Sequence, residues 1–219
     1  MNELTCAFIQ EQALSAGVVL DDHQAELVKR YVALLGKWTK VYNLTAIRDL
    51  DEIWSHHIMD CLAVVQPLRK HIAGERRVLD VGSGGGLPGV LLAMVSPEWD
   101  VTCIDAVAKK TAFIQQAAAL DAGLNRHLKA VHSRVELYRG QFDVVTSRAF
   151  AALVDFVSWT RHLVKPSGCW LAMKGKYPTD EIANLPEWVE VFHVEQLHVP
   201  GLNQERCLIW MREKQTSVA

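Results

Sequence analysis

No Gly-Lys pair in this chain is followed by Ser or Thr, so the phosphate-cradling P-loop is missing and ATP hydrolysis is disfavoured. No Cys-x-x-Cys pair occurs either. The five cysteines (Cys6, Cys61, Cys103, Cys169, Cys207) are an odd, scattered set, which argues against a zinc site or redox couple and for small core residues kept reduced. No stretch approaches the ~20 apolar residues of a membrane span, and residues 1–20 lack a basic start followed by an unbroken apolar run. A cytosolic protein is the expectation. Internal repeats and low-complexity tracts are missing as well. Charge is scarce in sum, since the net value is −2, which by itself argues against a strong nonspecific grip on nucleic acid. Its distribution differs from its sum. Leu27 to Arg48 carries five basic residues and no acidic one, whereas Pro178 to Ala219 holds seven acidic residues against three basic, so a neutral total conceals a basic face.

What is present is an ordinary globular composition, 219 residues of which 50% are hydrophobic. Leu27, Tyr31, Leu34, Leu35, Trp38 and Tyr42 recur at helical spacing after an N-cap at Asp21 or Asp22. A second helix is expected over about Asp51 to Val65, ending before Pro67. Residues 1–75 therefore read as a helical extension, and residues 76–219 as a second unit. There, strand candidates at 77–81, 101–105, 128–132, 142–147 and 169–174 alternate with helix candidates near 88–95, 107–122 and 151–164. That order implies an α/β fold, a mostly parallel sheet with helices on both faces. The last two strand candidates, 189–198 and 206–212, are joined through Pro200-Gly201 without a helix and predict an antiparallel hairpin at one sheet edge.

The turn Asp80-Val-Gly-Ser-Gly-Gly-Gly-Leu-Pro-Gly89 follows the first strand, the usual place for a nucleotide-containing cofactor in such a sheet. Gly82 and Gly84 permit a tight bend and a close ligand approach. Leu87 stands where the dinucleotide fingerprint requires its last glycine, which disfavours NAD or FAD. Asp80 places a carboxylate where a pyrophosphate would be repelled and the amino group of a methionine moiety attracted. The combination favours S-adenosyl-L-methionine. Asp105, ending the second strand, is suited to accept hydrogen bonds from ribose hydroxyls, in either cofactor class. A tight turn with a solvated strand-end acid is the bland alternative.

The acceptor is constrained by further absences. Thr146-Ser-Arg-Ala-Phe150 stands where exocyclic-amine methyltransferases often carry Asn/Asp-Pro-Pro-aromatic, and the strand cysteines are poor candidates for pyrimidine carbon-5 nucleophiles. A ring nitrogen, a carboxylate, or a hydroxyl assisted by a base such as Lys174 remain. The glycine turn, together with Lys37-Trp38, Tyr42-Asn-Leu-Thr45, Ile47-Arg-Asp49, His57-Ile-Met-Asp60, Ser133-Arg-Val-Glu136, Ser147-Arg-Ala-Phe150 and Leu171-Ala-Met-Lys-Gly175, resembles the bacterial 16S ribosomal RNA guanine-N7 methyltransferases, also called glucose-inhibited division protein B. The resemblance runs from about Asp21 to Arg212. It implies methylation of guanine N7 in the 530 loop of 16S rRNA, within the small subunit, on a class I S-adenosylmethionine-dependent fold. It also implies cofactor contacts at Gly82, Leu87, Val135, Glu136 and Arg148. The chain departs from the family at His56 and Cys61, where Arg and Ser are frequent, so no role is carried over to either.

Among the remaining candidates, Arg148 suits the cofactor carboxylate or a phosphate, with an ion pair as alternative. Arg48, His57 and Asp60 are expected on the substrate side, Asp60 ordering His57 one helical turn away, or else as a structural cap. Two such ligands without a third make no metal site. Lys174 and Lys176 either reach RNA phosphates or are solvated. For Trp38 and Tyr42, a core role outweighs base stacking. Nothing demands an oligomer. Non-catalytic cofactor-binding modules and oxidoreductases are the rival functional classes.

Overall fold

The computed structural model describes residues 4–42, 44–45, 47, 49–72 and 76–215. Arg48 lies outside them. Helices α1 (Cys6–Ser15) and α2 (Asp22–Tyr42) come first, followed by α3 (Leu50–Ile53), a π-helical stretch Trp54–Met59, α4 (Asp60–Leu62) and α5 (Val65–His71). Asp21 is the N-cap of α2, its Oδ1 accepting the Gln24 N–H at 2.7 Å. The expected 51–65 helix is thus three short segments, and Pro67 does not end it. Pro67 falls in the first turn of α5, where a missing N–H forfeits no intrahelical bond.

Strand β1 (Arg76–Val81) opens the sheet and leads through the glycine turn into α6 (Gly89–Val95). Then follow β2 (Trp99–Asp105), α7 (Ala108–Ala118), α8 (Leu124–His127), β3 (Leu128–His132), β4 (Phe142–Arg148), α9 (Leu153–Thr160), β5 (Val164–Lys174), α10 (Thr179–Ala183), β6 (Val189–Gln196) and β7 (Cys207–Glu213). The seven strands lie in the order β3-β2-β1-β4-β5-β7-β6. The first five are parallel, and β7 runs antiparallel to both β5 and β6, as the hairpin pattern predicts. β5 begins at Val164 rather than Cys169, the five added residues being absorbed by an irregular register against Phe142 and Val144 of β4.

Val78, Leu79 and Val81 of β1 are buried although they alternate between faces, because the sheet is covered on both sides. One core joins α1, α2, α5, α6 and α7 to one face, through Tyr31, Leu35, Leu68, Leu91 and Phe113 among others. The other packs Leu153, Phe156 and Val157 of α9 against Leu79, Val145 and Ile209. The N-terminal helices therefore share their core with the sheet. α2 in particular sits behind the glycine turn, where the Tyr31 hydroxyl donates a buried hydrogen bond to the Gly85 carbonyl.

Candidate cofactor and substrate site

The turn after β1 is held by the end of β2, through backbone and side chain. Gly82 and Ser83 donate their N–H groups to the Ile104 carbonyl at 2.9 and 3.2 Å. Asp105 caps the turn from β2, its Oδ2 accepting from Gly84 N–H at 3.0 Å and its Oδ1 from Val107 N–H at 2.9 Å. Gly82 adopts φ +66°, and a Cβ there would overlap a ring carbon of Phe150. Gly84 also has positive φ, +57°, but a Cβ there would meet nothing nearer than 3.9 Å. The open space over Gly84 is what a ligand lying on the backbone requires.

Two cavities meet over this turn. One, of about 390 Å³, is lined by Asp105, Ala106, Lys110, Val135, Glu136 and Phe150. The other, of about 540 Å³, is lined by Leu44, Thr45, His57, Asp60, Leu87, Arg148, Lys174 and Arg206. Gly82 and Ala149 line both, so together they are the sill between them. Ala149 has φ +52°, a left-handed conformation uncommon in a residue with a Cβ, and it bends the chain away from the end of β4 at that sill. The smaller cavity presents the carboxylates of Asp105 and Glu136, both able to accept hydrogen bonds, beside the apolar Val135 and Phe150. The donor set and the cradle over Gly84 therefore fit S-adenosyl-L-methionine, with Gly82, Gly84, Leu87, Asp105, Val135 and Glu136 against cavity space.

Asp80 is placed differently from expectation. It lines neither cavity and is fully buried beneath the turn, where its Oδ2 accepts the Gly89 N–H at 2.9 Å. Burial pushes its carboxyl up to about 7, against the opposing pull of the Gly89 N–H and of Arg148. Its Oδ1 has no hydrogen-bond partner. Asp80 thus fixes the start of α6 rather than reaching directly for a ligand amine, because the glycine turn folds over it.

In the larger cavity an acid lies between two arginines. Asp60 is 4% exposed, and its carboxylate accepts from Arg148 at 3.3 Å and from Arg206 Nε at 3.0 Å. Arg148 also donates to the His56 carbonyl at 3.3 Å and lies 3.3 Å from Nδ1 of His57. The expected ordering of His57 by Asp60 is not what orients it: Nδ1 of His57 lies 3.0 Å from the His56 carbonyl and 3.3 Å from Arg148, which itself pairs with Asp60. Burial and the Arg148 charge lower the His57 imidazole to about 4, so it is neutral at pH 7. Lys174 reaches the cavity wall but is tied to both oxygens of Glu181, at 2.8 and 3.0 Å. Glu181 in turn accepts the Leu153 N–H at the start of α9. A lysine so engaged is a poor general base, which removes the hydroxyl-acceptor role considered for it. Lys176 lies exposed beyond it. Trp38 packs on Phe113 and donates to Gln116, in keeping with a core role, whereas Tyr42, its ring tilted against that of Trp38, is 46% exposed and so does not take the core role expected of it.

Sequence reading missed Arg206 and Ala149 as elements of the site. Arg206 lies 146 residues from Asp60 in a loop with no motif, and no local signal points to it.

A family model described as GidB, rRNA small subunit methyltransferase G, matches residues 24–209. Proteins named ribosomal RNA small subunit methyltransferase G are similar over nearly the whole chain. That of Acidovorax sp. (strain JS42) is 55% identical, covering 93% of each chain, and that of Polaromonas sp. (strain JS666 / ATCC BAA-500) is 53% identical, covering 93% of this chain and 94% of its own. Among solved structures, the Burkholderia thailandensis 1,6-didemethyltoxoflavin-N1-methyltransferase, crystallised with S-adenosylhomocysteine, aligns with a TM-score of 0.58 at 16% identity, covering 85% of this chain and 90% of that one. TrmN from Thermus thermophilus aligns with a TM-score of 0.57 at 18% identity, covering 70% of this chain and 49% of that one. At these identities the structures establish the Rossmann-like methyltransferase fold, and the sequence relatives establish the family. The chain belongs to the rRNA small subunit methyltransferase G family.

Proposed function

We propose that this protein transfers the methyl group of S-adenosyl-L-methionine to N7 of a guanine in the 530 loop of 16S rRNA. The observation that carries the reading is the pair of cavities joined over Gly82 and Ala149, one suited to the cofactor and the other walled by Arg148, Arg206 and the Glu181-bound Lys174. The cofactor, when bound, would supply an electrophilic methyl on a sulfonium, which a ring nitrogen with a lone pair can accept as the carbon–sulfur bond breaks and S-adenosylhomocysteine leaves, with no proton to be lost. Such a transfer needs no general base and takes its acceleration from alignment. The chain's own residues meet that need. Asp105, Val135 and Glu136 hold the nucleoside part, while the backbone at Gly82 and Gly84, with Leu87, holds the reacting end close. Arg148, clamped by Asp60 beside the neutral His57, marks the acceptor side and suits an anionic group there, a cofactor carboxylate or an RNA phosphate.

The helical extension 1–75 is assigned the RNA side through its basic stretch, and 76–219 the cofactor side. A net charge of −2 gives weak nonspecific affinity, so a small-subunit particle is the preferred substrate over naked RNA, met in the cytoplasm by a monomer. Incubation with radiolabelled cofactor and undermodified small subunits, followed by mapping of the labelled nucleotide, tests this. Label at a 530-loop guanine, lost on reductive cleavage specific for N7-methylguanine, is the expected result. Cofactor binding without transfer to any ribosomal RNA would instead make the chain a binding module and end the proposal.

A further inference from the structure

Away from both cavities, the C-terminal end of α5 meets the edge strand β6. His71 ends α5, and His193 and Glu195 stand two residues apart in β6, paired with Trp210 and Leu208 of β7. Trp210 and Leu208 belong to the core beneath the N-terminal helices, so His193 and Glu195 project to the face that α5 covers. The His71 ring lies 4.3 Å from that of Trp210 and 5.2 Å from that of His193. One potential ligand atom from each of His71, His193 and Glu195 falls within 4.8 Å of the others, a grouping found nowhere else among the described residues.

The polar atoms of this cluster are poorly satisfied by the protein. Nε2 of His71 and Oε2 of Glu195 are buried without a hydrogen-bond partner. Nε2 of His193 stands 3.9 Å from that same Glu195 oxygen, beyond hydrogen-bond range. Two buried polar atoms without partners in one side-chain cluster are costly, and a cation held among the three side chains would satisfy them. The His193 side chain remains 41% exposed, which leaves a path to solvent and room for a water ligand.

We propose that His71, His193 and Glu195 bind a divalent transition metal of the zinc class, through two imidazole nitrogens and one carboxylate oxygen, with water completing a tetrahedron. Two nitrogen donors select against magnesium and calcium, and the two-histidine, one-glutamate set with an open position suits zinc. None of the three residues lines either cavity, so the metal takes no part in methyl transfer. Its effect is to cross-link α5 to the edge strand, joining parts of the chain 122 residues apart (His71 to His193) and closing an edge that pairs on one side only.

The test uses the full chain, stripped with a chelator and titrated with cobalt(II), then zinc(II), with magnesium(II) as control. One cobalt per chain is expected, with the visible ligand-field absorption of a tetrahedral site and no thiolate charge-transfer band. Zinc should displace it and raise the thermal midpoint, and magnesium should do neither. His193→Ala, at an exposed position, and the near-isosteric Glu195→Gln should each weaken cobalt affinity by ~10-fold or more while leaving S-adenosyl-L-methionine affinity unchanged. Absence of stoichiometric binding, a thiolate band that places the metal on a cysteine, or affinity unaltered in both variants would overturn the assignment.

Discussion

Two titratable residues beside the site, the buried Asp80 and the half-buried His57, push stability in opposite directions with pH. The Asp80 carboxyl is raised from 3.8 to about 7, so its proton is held more tightly in the folded state, and its contribution, full below pH 3.8, is lost as pH rises to about 7. The His57 imidazole is lowered from 6.5 to about 4, so its contribution is full above pH 6.5 and lost as pH falls to about 4. The two windows overlap, and each effect is on the order of 3–4 kcal/mol at its limit, from roughly three pKa units at 1.36 kcal/mol per unit. They therefore offset one another in the wild type. Asp80→Asn should unmask the His57 slope: its unfolding free energy should drop by roughly 3 kcal/mol between pH 6.5 and 4, while that of the wild type changes less. Urea titrations at a series of pH values decide this, and equal slopes in the two proteins would show that Asp80 carries no such compensation.

At the scale of elements, the glycine turn is a joint between β1, α6 and α2, and its glycines are not equivalent. Gly84→Ala meets open space and bears only the left-handed backbone cost of ~1–2 kcal/mol. Gly82→Ala adds the overlap with Phe150, for a total of roughly 2–5 kcal/mol. Thermal midpoints should rank wild type, Gly84→Ala, Gly82→Ala. Cofactor affinity should fall in both, since the Gly84 methyl would occupy the cradle itself. A Gly84→Ala protein with undiminished affinity would move the ligand elsewhere.

Support for the turn also comes from α2. Tyr31→Phe removes the hydroxyl that satisfies the Gly85 carbonyl, at a cost of about 1–3 kcal/mol for an acceptor left buried and unpaired. If α2 seats the turn, this variant should weaken cofactor binding as well as lower the thermal midpoint, even though Tyr31 lines neither cavity. Isothermal titration of the variant measures this, and a midpoint change with wild-type affinity would confine Tyr31 to the core.

For the whole molecule, a near-neutral chain that works on RNA must concentrate its positive charge. Lys37 and Lys40 lie exposed on α2, in the segment that has no acidic residue from Leu27 to Arg48. Charge reversal at both, Lys37→Glu with Lys40→Glu, should reduce methyl transfer to the particle and flatten its logarithmic dependence on salt, by ~0.7 for each phosphate no longer neutralised. Cofactor affinity should be unchanged, because neither residue lines a cavity. Transfer rates measured across a salt series provide the check, and an unaltered salt slope would remove α2 from the RNA face.

Legibility in the sequence followed the range of the interactions concerned. The strand-helix alternation, the glycine turn, the acid at the end of β2 and the antiparallel hairpin depend on period, backbone freedom and neighbouring residues, and these are written locally. So is the family, because many short motifs occur in one order along the chain. The jobs of individual side chains were decided by partners distant in sequence. Asp60 meets Arg206 across 146 residues, Lys174 is held by Glu181, and Asp80 turns inward because the glycine loop closes over it. Pro67 enters a helix because α5 begins two residues before it. The sequence by itself determined the fold class and the cofactor-binding turn, since both rest on local conformational preference. Which charges are free to act, which are neutralised and which are buried was decided only when the tertiary structure brought their partners together, because electrostatic and packing energies depend on proximity in space.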